Sequence, residues 1–244
     1  MYPAIFIVGI ILLWHLLCAS KIVPPYLLPT PYGVAAAFAL DFPLLLGHAW
    51  TTFAEAFLGL SLSVVFGVLT AAVMDRFEFL YLAAYPVLVL TQTVPAIALA
   101  PLLVLWMGFG IAPKVLLIFI TCFFPITVST LSGLRSVDPD IVDLMRSMGA
   151  GPLAILTRVK LKASLESFFA GLKLAGAYSV IGAVIAEWLG GSKGLGVYMT
   201  RVRKAYAFDK MFAVIILISL VSLLLMKFIE IIQNKSMPWK GDPK

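Results

Sequence analysis

The sequence predicts an all-α fold: a polytopic membrane bundle of about six transmembrane helices, with one long loop projecting from it. Three observations carry this. Of 244 residues, 62% are hydrophobic and only 12% are charged, about half the charge a water-soluble surface normally carries. Apolar stretches long enough to cross a hydrocarbon core, roughly 20 helical residues each, recur along the chain. None of them alternates in polarity as a barrel strand of about 10 residues would, so their backbone must be satisfied within helices.

The expected spans are Pro3 to Ala19, Trp50 to Met74, Leu80 to Met107, Val115 to Gly133, Leu165 to Trp188 and Met211 to Ile232. The first has no positive flank before Ile5 and no small-x-small site after it, so it reads as a retained span and not a signal peptide. Cys18 follows the bulky Leu17, which argues against a lipid-modified cysteine. Cys18 and Cys122 both fall in apolar segments and are expected to be buried small hydrophobes. Residues 1–48 are thus the first span and an external loop, 49–235 the main transmembrane unit, and 236–244 a short tail.

The second and fifth spans each carry small residues four apart: Gly59, Ser63, Gly67 and Ala71 in one, Gly171, Ala175, Ser179 and Ala183 in the other. Lipid offers no hydrophobic drive between helices, so such ridges mark faces where backbones approach closely. The third span is interrupted by Pro86, Pro95 and Pro101, each removing a backbone donor. A broken helix at membrane depth is tolerated against protein or a water-filled cavity. Gln92, Thr93 and Pro95 are therefore candidates for a pathway lining, with kinked but ordinary packing as the alternative. Glu55, Lys173 and Glu187 are the ionisable residues within the spans, and such residues are costly enough to suggest function. Lys173 can snorkel. Glu187 lies about 20 Å further along the same helix and so cannot pair with it; with Ser179 it joins the pathway or gate candidates.

Orientation follows the excess of Lys and Arg on the cytoplasmic side. With both termini inside, ten such residues fall inside and seven outside. The outer group includes Arg201, Arg203 and Lys204, expected in a solvated loop or facing an acidic partner or an anionic solute.

The loop from Arg135 to Glu166 is the most structured of the connections. Asp138 can cap a helix that Pro139 begins; Ile141, Leu144, Met145 and Met148 then share one face. Gly149 can end that helix in a left-handed conformation, and Gly151-Pro152 allows a turn into a second helical stretch through Arg158. The result is either a knob shaped for a partner's groove or a hairpin lying on the membrane surface.

Chemistry of the chain's own is not visible. There are only two histidines, no H-E-x-x-H metal motif, no nucleophile-base constellation and no G-x-x-x-x-G-K-[ST] phosphate loop. The chain is thus expected to be non-catalytic and without cofactor or metal.

The loop residues Asp143 to Ala150 with Val159-Lys160-Leu161 resemble the cytoplasmic motif of ABC importer permeases. That motif has an acidic residue and two alanines before a glycine, and Ile-x-Leu-Pro after it. Gly149, Val159 and Leu161 keep the spacing; Asp143 stands for Glu, Leu144 and Met145 for the alanines, and Lys162 for the proline. Gln92-Thr93-Val94-Pro95, Ala98 to Leu102, Gly133 to Pro139, Ala186-Glu187 and Gly194-Leu195-Gly196 are similar to the nitrate, sulfonate and taurine group, which includes importers of thiamine pyrimidine precursors. The resemblance spans about Trp50 to Ile232.

It implies a multi-pass subunit of the bacterial plasma (inner) membrane with both termini cytoplasmic. It also implies a permease homodimer, two copies of an ATPase that binds ATP and Mg, and an extracytoplasmic solute-binding protein, with no nucleic acid involved. Asp143, Leu144, Met145, Arg146, Met148, Gly149, Ala150, Val159 and Leu161 would couple to the ATPase, and the cargo would be a small nitrogen- or sulfur-containing organic solute. The competing readings are an ATP-independent secondary carrier or channel, for which no internal repeat is visible, and a transporter scaffold without a pathway.

Overall fold

The structure is a computed structural model that describes residues 2–20, 23–24 and 27–240. Among these residues it is helical throughout, with no strand. In order the helices are α1 (Tyr2–Ala19), α2 (Pro31–Leu40), α3 (Phe42–Arg76), α4 (Glu78–Thr91), α5 (Ala96–Met107), α6 (Ile111–Arg135), α7 (Pro139–Ser147), α8 (Pro152–Ile155), α9 (Leu161–Leu189), α10 (Leu195–Lys204) and α11 (Phe208–Ser236).

The small-residue ridges explain the centre of the bundle. Both pack on α6. A Cβ added to Gly59 would sit 2.5 Å from Ile118, and one added to Gly67 would sit 2.9 Å from Ile126. Ser63 donates across to the Phe119 carbonyl at 3.1 Å. From the other side Gly171 lies against the Pro125 carbonyl and Ser129, and the Cys122 thiol donates to the Ala175 carbonyl at 3.2 Å. Ala56, Ile118, Cys122, Ile126, Ala175, Val180 and Ala183 are fully buried there. Cys18, by contrast, is only half-buried, its thiol against the Leu28 and Pro29 carbonyls.

Four helical segments are long and apolar enough to cross a membrane: 42–76, 111–135, 152–189 and 208–236. The expected third span is α4 and α5, bent by 96° at the break between them. Of the three prolines only Pro95 marks that break; Pro86 and Pro101 stay inside their helices. The pair still joins opposite ends of the bundle. Glu78 at its start pairs with Arg135 at the end of α6, whereas Phe109 after its end lies against Gly190 beyond the end of α9. It is thus a broken crossing and not a loop that returns to its own side, which makes five, with the 18-residue apolar α1 beside them.

Three expectations at the edges need correction. The loop after the first span contains α2, opened by Thr30, whose hydroxyl accepts from the Gly33 amide, and by Pro31 at the first turn. The second span starts at Phe42, eight residues before Trp50. The second helical stretch of the long loop is no separate helix: α8 passes through one wider π turn, Leu156–Lys160, straight into α9.

Candidate functional site

At the end of the bundle where α3, α6 and α11 finish, the loop forms a compact projection. Asp138 accepts from the Asp140 amide and Pro139 begins α7. Gly149 closes it at φ +82°, where a Cβ is disfavoured. Asp143 pairs with Arg146 at 2.9 Å on the exposed side. Among the described residues nothing covers the apolar face of α7: Ile141 is 47% exposed, Leu144 61%, Met148 75%, and Leu153 of α8 72%. Met145 and Ala150 are half-buried, as are Val159 and Leu161 beyond the turn. Leu161 and Leu156 pack on Ala71, Met74, Leu131 and Leu134. Lys160 adds a bidentate pair to Asp75 of α3 at 2.8 Å, and Arg135 bonds Glu78 at 2.7 Å while stacking on Tyr81. The projection is therefore fixed to α3, α6 and α9 together.

Midway along the bundle the α4–α5 break presents Gln92 and Pro95 on a cleft of about 260 Å³, opposite Tyr178, Ile181 and Ile185 of α9. Thr93 is exposed beside them and turns its hydroxyl back to the Leu90 carbonyl at 2.8 Å. Ser179 is fully buried and donates to Gly176 in its own helix at 2.8 Å; the structure does not bring it to that cleft.

Glu187 belongs to a third place, the opposite end of the bundle. Three successive amides at the start of α10 are each taken by a side chain of another helix. Gly194 N–H donates to His48 Nδ1 at 2.9 Å, Leu195 N–H to Thr52 Oγ1 at 2.8 Å, and Gly196 N–H to Glu187 Oε2 at 2.6 Å. The first-turn amides of a helix have no partner within it, so a carboxylate there is favoured by both hydrogen bonding and the helix dipole. Thr52 Oγ1 in turn donates to Glu187 Oε1 at 2.7 Å.

Next to this latch Glu55 accepts from Lys114 Nζ at 2.6 Å, both residues about 95% buried or more. Lys114, one of the seven residues counted as outside, lies within the first turns of α6. The basic run Arg201 to Lys204 is likewise not a loop but the last turn of α10. It borders, with Lys114, Glu55 and Glu187, an open cleft of about 950 Å³. Tyr198 of α10 donates to Asp41, which also pairs with Lys210 at 2.8 Å. These two bonds, from Lys210 first and Tyr198 second, hold the Asp41 carboxyl below the usual carboxylate range, while burial and the Asp41 charge push the Tyr198 phenol up.

The sequence of residues 63–237 matches the family described as "Binding-protein-dependent transport system inner membrane component". The chain belongs to this family. Over 239 residues it is 37% identical to the formylaminopyrimidine transport permease protein ThiX of Halalkalibacterium halodurans, covering 98% of this chain and 95% of that one. It is 29% identical to a putative aliphatic sulfonates transport permease protein, SsuC, of Bacillus subtilis over 95% of this chain and 85% of that one. In fold it is similar to a chain of the MetNI methionine ABC transporter in an inward-facing conformation, with a TM-score of 0.71 over 80% of this chain and 97% of that one at 18% identity.

The permease is thus a multi-pass membrane component of an ABC-type import system, a kind of assembly that works with an ATPase and a binding protein. The family match takes in the long loop, the α4–α5 break, Glu187 and the basic turn of α10. It leaves His48, Thr52 and Glu55 outside. His48, Thr52 and Lys114 are what residue-by-residue reading missed. The intramembrane position of Glu55 was a signal, but its partner lies 59 residues away.

Proposed function

We propose that the permease works as a pair of identical subunits. A copy of the ATPase seats on α7 of each, with ATP and Mg held in the ATPase, and a binding protein delivers the solute to the opposite face. The observation that carries this reading is the uncovered apolar face of Ile141, Leu144 and Met148, set on a projection that three helices anchor. An apolar patch exposed to water marks a contact surface, and a short amphipathic helix held rigidly is suited to a partner's groove. Asp143, Leu144, Met145, Arg146, Met148, Gly149 and Ala150 would meet the ATPase; Val159 and Leu161 would transmit the motion from below. The α7 end is then cytoplasmic, as are both termini, and the basic turn of α10 is outside.

ATP-driven approach of the two ATPases would press α7 and α8, and α9 would carry the displacement inward because α8 runs into it without a break. Along α9, Leu174, Tyr178, Ile181 and Trp188 are exposed on one face and Ile185 is half-buried on it. This stripe joins the cleft at Gln92 and Pro95 to the outer cleft and is the proposed path of the solute between the two copies. The cargo is a small nitrogen- or sulfur-containing organic solute, with formylaminopyrimidines first, after the 37% identical relative.

Purification of the native chain from its membrane should bring down an ATP-hydrolysing partner, and Leu144→Asp with Met148→Asp should lose it. Both side chains are exposed, so the substituted chain keeps its melting midpoint. Retention of the ATPase by the double variant, or solute movement by the native chain without ATP, overturns the reading. Transport of a sugar or a metal ion in place of an organic nitrogen or sulfur compound overturns the choice of cargo.

A further inference from the structure

A cleft of about 480 Å³ separates the end of α3 from the α7–α8 projection. Asp75 and Arg76, the last two residues of α3, line it together with Arg146 of α7 and Lys160 of the π turn, and Val142, Leu153 and Leu156 add apolar wall. Three cations thus share the wall with one carboxylate, and both oxygens of that carboxylate are taken by Lys160. Arg146 gives one nitrogen to Asp143, which does not line the cleft. Arg76 has no ion-pair partner among the described residues; its exposed guanidinium lies over the Phe77 ring, 5.4 Å from the centroid. Lysine and arginine side chains only donate, so the cleft offers N–H groups and positive charge to an acceptor from elsewhere. Arg76 also ends an apolar stripe. Leu62, Val65, Leu69 and Val73 precede it at steps of three and four residues, hence on one face of α3, and all four are 43–57% exposed. From Leu62 to Val73 the stripe runs about 16 Å, half of a hydrocarbon core about 30 Å thick. An exposed apolar track the length of one leaflet, leading to a cationic cleft at the helix end, has the two chemistries of a phospholipid in the order in which a membrane presents them.

We propose that this cleft binds the headgroup phosphate of an anionic phospholipid of the cytoplasmic leaflet, with Arg76 as the main donor, Arg146 and Lys160 beside it, and an acyl chain along the stripe from Leu62 to Val73. Arginine meets a phosphate with a planar fork of donors, and basic pockets between helices on the cytoplasmic side suit anionic headgroups. A free phosphate would satisfy the cations but leave the stripe and the apolar wall unused, which favours the lipid. A zwitterionic lipid would bring a cation of its own to the same wall. The bound headgroup would bridge the end of α3 and the projection, next to the Lys160–Asp75 pair. The choice of leaflet rests on the import reading above; the site goes beyond it.

The test uses the permease as purified from its membrane, freed of loosely held lipid in detergent and titrated under native mass spectrometry. The probes are palmitoyl-oleoyl phosphatidylglycerol, phosphatidylcholine with the same chains, and glycerophosphate, which has the phosphate without the chains. Phosphatidylglycerol should bind about 10-fold more tightly than either comparator, and Arg76→Gln should weaken it about 10-fold while leaving phosphatidylcholine unchanged. Arg158 is an exposed cation at the same end of the bundle that does not line the cleft, and Arg158→Gln should leave both lipids unchanged. Both arginines are exposed, so the variants keep their melting midpoints and the comparison stays readable. Equal affinity for the two lipids, native binding by Arg76→Gln, or equal losses in the two variants overturns the site. Glycerophosphate bound as tightly as the lipid assigns the cleft to a soluble phosphate and overturns the lipid. The two levels separate by what else comes down with the chain. If no ATPase does and Arg76-dependent lipid binding persists, the import reading falls and the site stands; a retained ATPase with no lipid preference overturns the site alone.

Discussion

The contact between α6 and α9 is close enough for one methyl group to test it. A Cβ on Gly171 would lie 2.6 Å from the Pro125 carbonyl oxygen and 2.6 Å from both Cβ and Oγ of Ser129. Ordinary contact begins at 3.4 Å, so the helices would have to separate by the difference, 0.8 Å. The obstacle includes backbone, which no rotamer change removes. Gly47 on α3 has nothing within 4 Å of the same position. Gly171→Ala and Gly47→Ala gain the same helix propensity, about 1 kcal/mol, and differ in the clash. Overpacking of a tight interior costs about 1–3 kcal/mol, which is then the expected gap in stability between the two variants. At about 2–4 °C per kcal/mol for a chain of this size, Gly171→Ala should melt roughly 2–12 °C below Gly47→Ala in the same detergent. Equal midpoints would refute the claim that the glycine ridge sets the α6–α9 distance.

Lys114→Met strands Glu55 as a buried lone carboxylate and should cost about 3–5 kcal/mol; Lys114→Met with Glu55→Gln should recover much of it, read as melting midpoint or folded yield. Lys160→Gln removes the bidentate partner of Asp75, whose side chain is only 8% exposed; a loss of about 1.5–3 kcal/mol and fewer solute molecules moved per ATP are expected, and an unchanged transport ratio would count against a mechanical role for that pair. Asp41 has its folded pKa held down, so the stability it contributes is present above its unfolded value near 4 and is lost as pH falls through the lower folded value. The native chain should therefore lose midpoint on acidification below about pH 4, with a shallower slope in Asp41→Asn. Tyr198, held up, contributes in the opposite window, present below about pH 10 and lost above it, and Tyr198→Phe should flatten that limb.

Features encoded by neighbours in sequence were legible; those encoded by partners far away were not. The four-residue period of Gly59, Ser63, Gly67 and Ala71 identified a packing face because the ridge is a property of one helix. Asp138-Pro139 and Gly149 marked the ends of α7 because capping and left-handed backbone are local. The same Thr-Pro signature at Thr30-Pro31 opens α2, a 10-residue helix too short to stand out as a span. Three prolines made a broken third span legible but did not choose among themselves. The break falls at Pro95 where Thr91 and Thr93 hydroxyls take up the Leu88 and Leu90 carbonyls at 2.6 and 2.8 Å. The outer cluster was illegible for a different reason. His48 meets Gly194 across 146 residues and Thr52 meets Glu187 across 135, and no periodicity records such a meeting.

These long-range bonds give the two ends of the permease a common mechanical part. From Lys160, tied to Asp75, to Glu187, tied to the start of α10, the chain runs 27 residues along one helix, about 40 Å. Its first turn is the π turn, a local widening that such helices often carry at functional sites, and from there α9 is an unbroken helix pressed on α6 along its glycine ridge. A push on α8 cannot be absorbed by a loop, because α8 runs through the π turn into α9; a push on α7 reaches it through Met148–Gly151. It must either rotate α9 against α6 or open the π turn. Rotation would carry Glu187, and with it the Gly196 amide and the basic turn of α10, relative to Thr52 and Glu55 on α3. The carboxylate pair would then separate just as the stripe from Tyr178 to Trp188 changed its facing. On this geometry the outer cleft and the α7–α8 projection lie at opposite ends of one continuous helical path through α9.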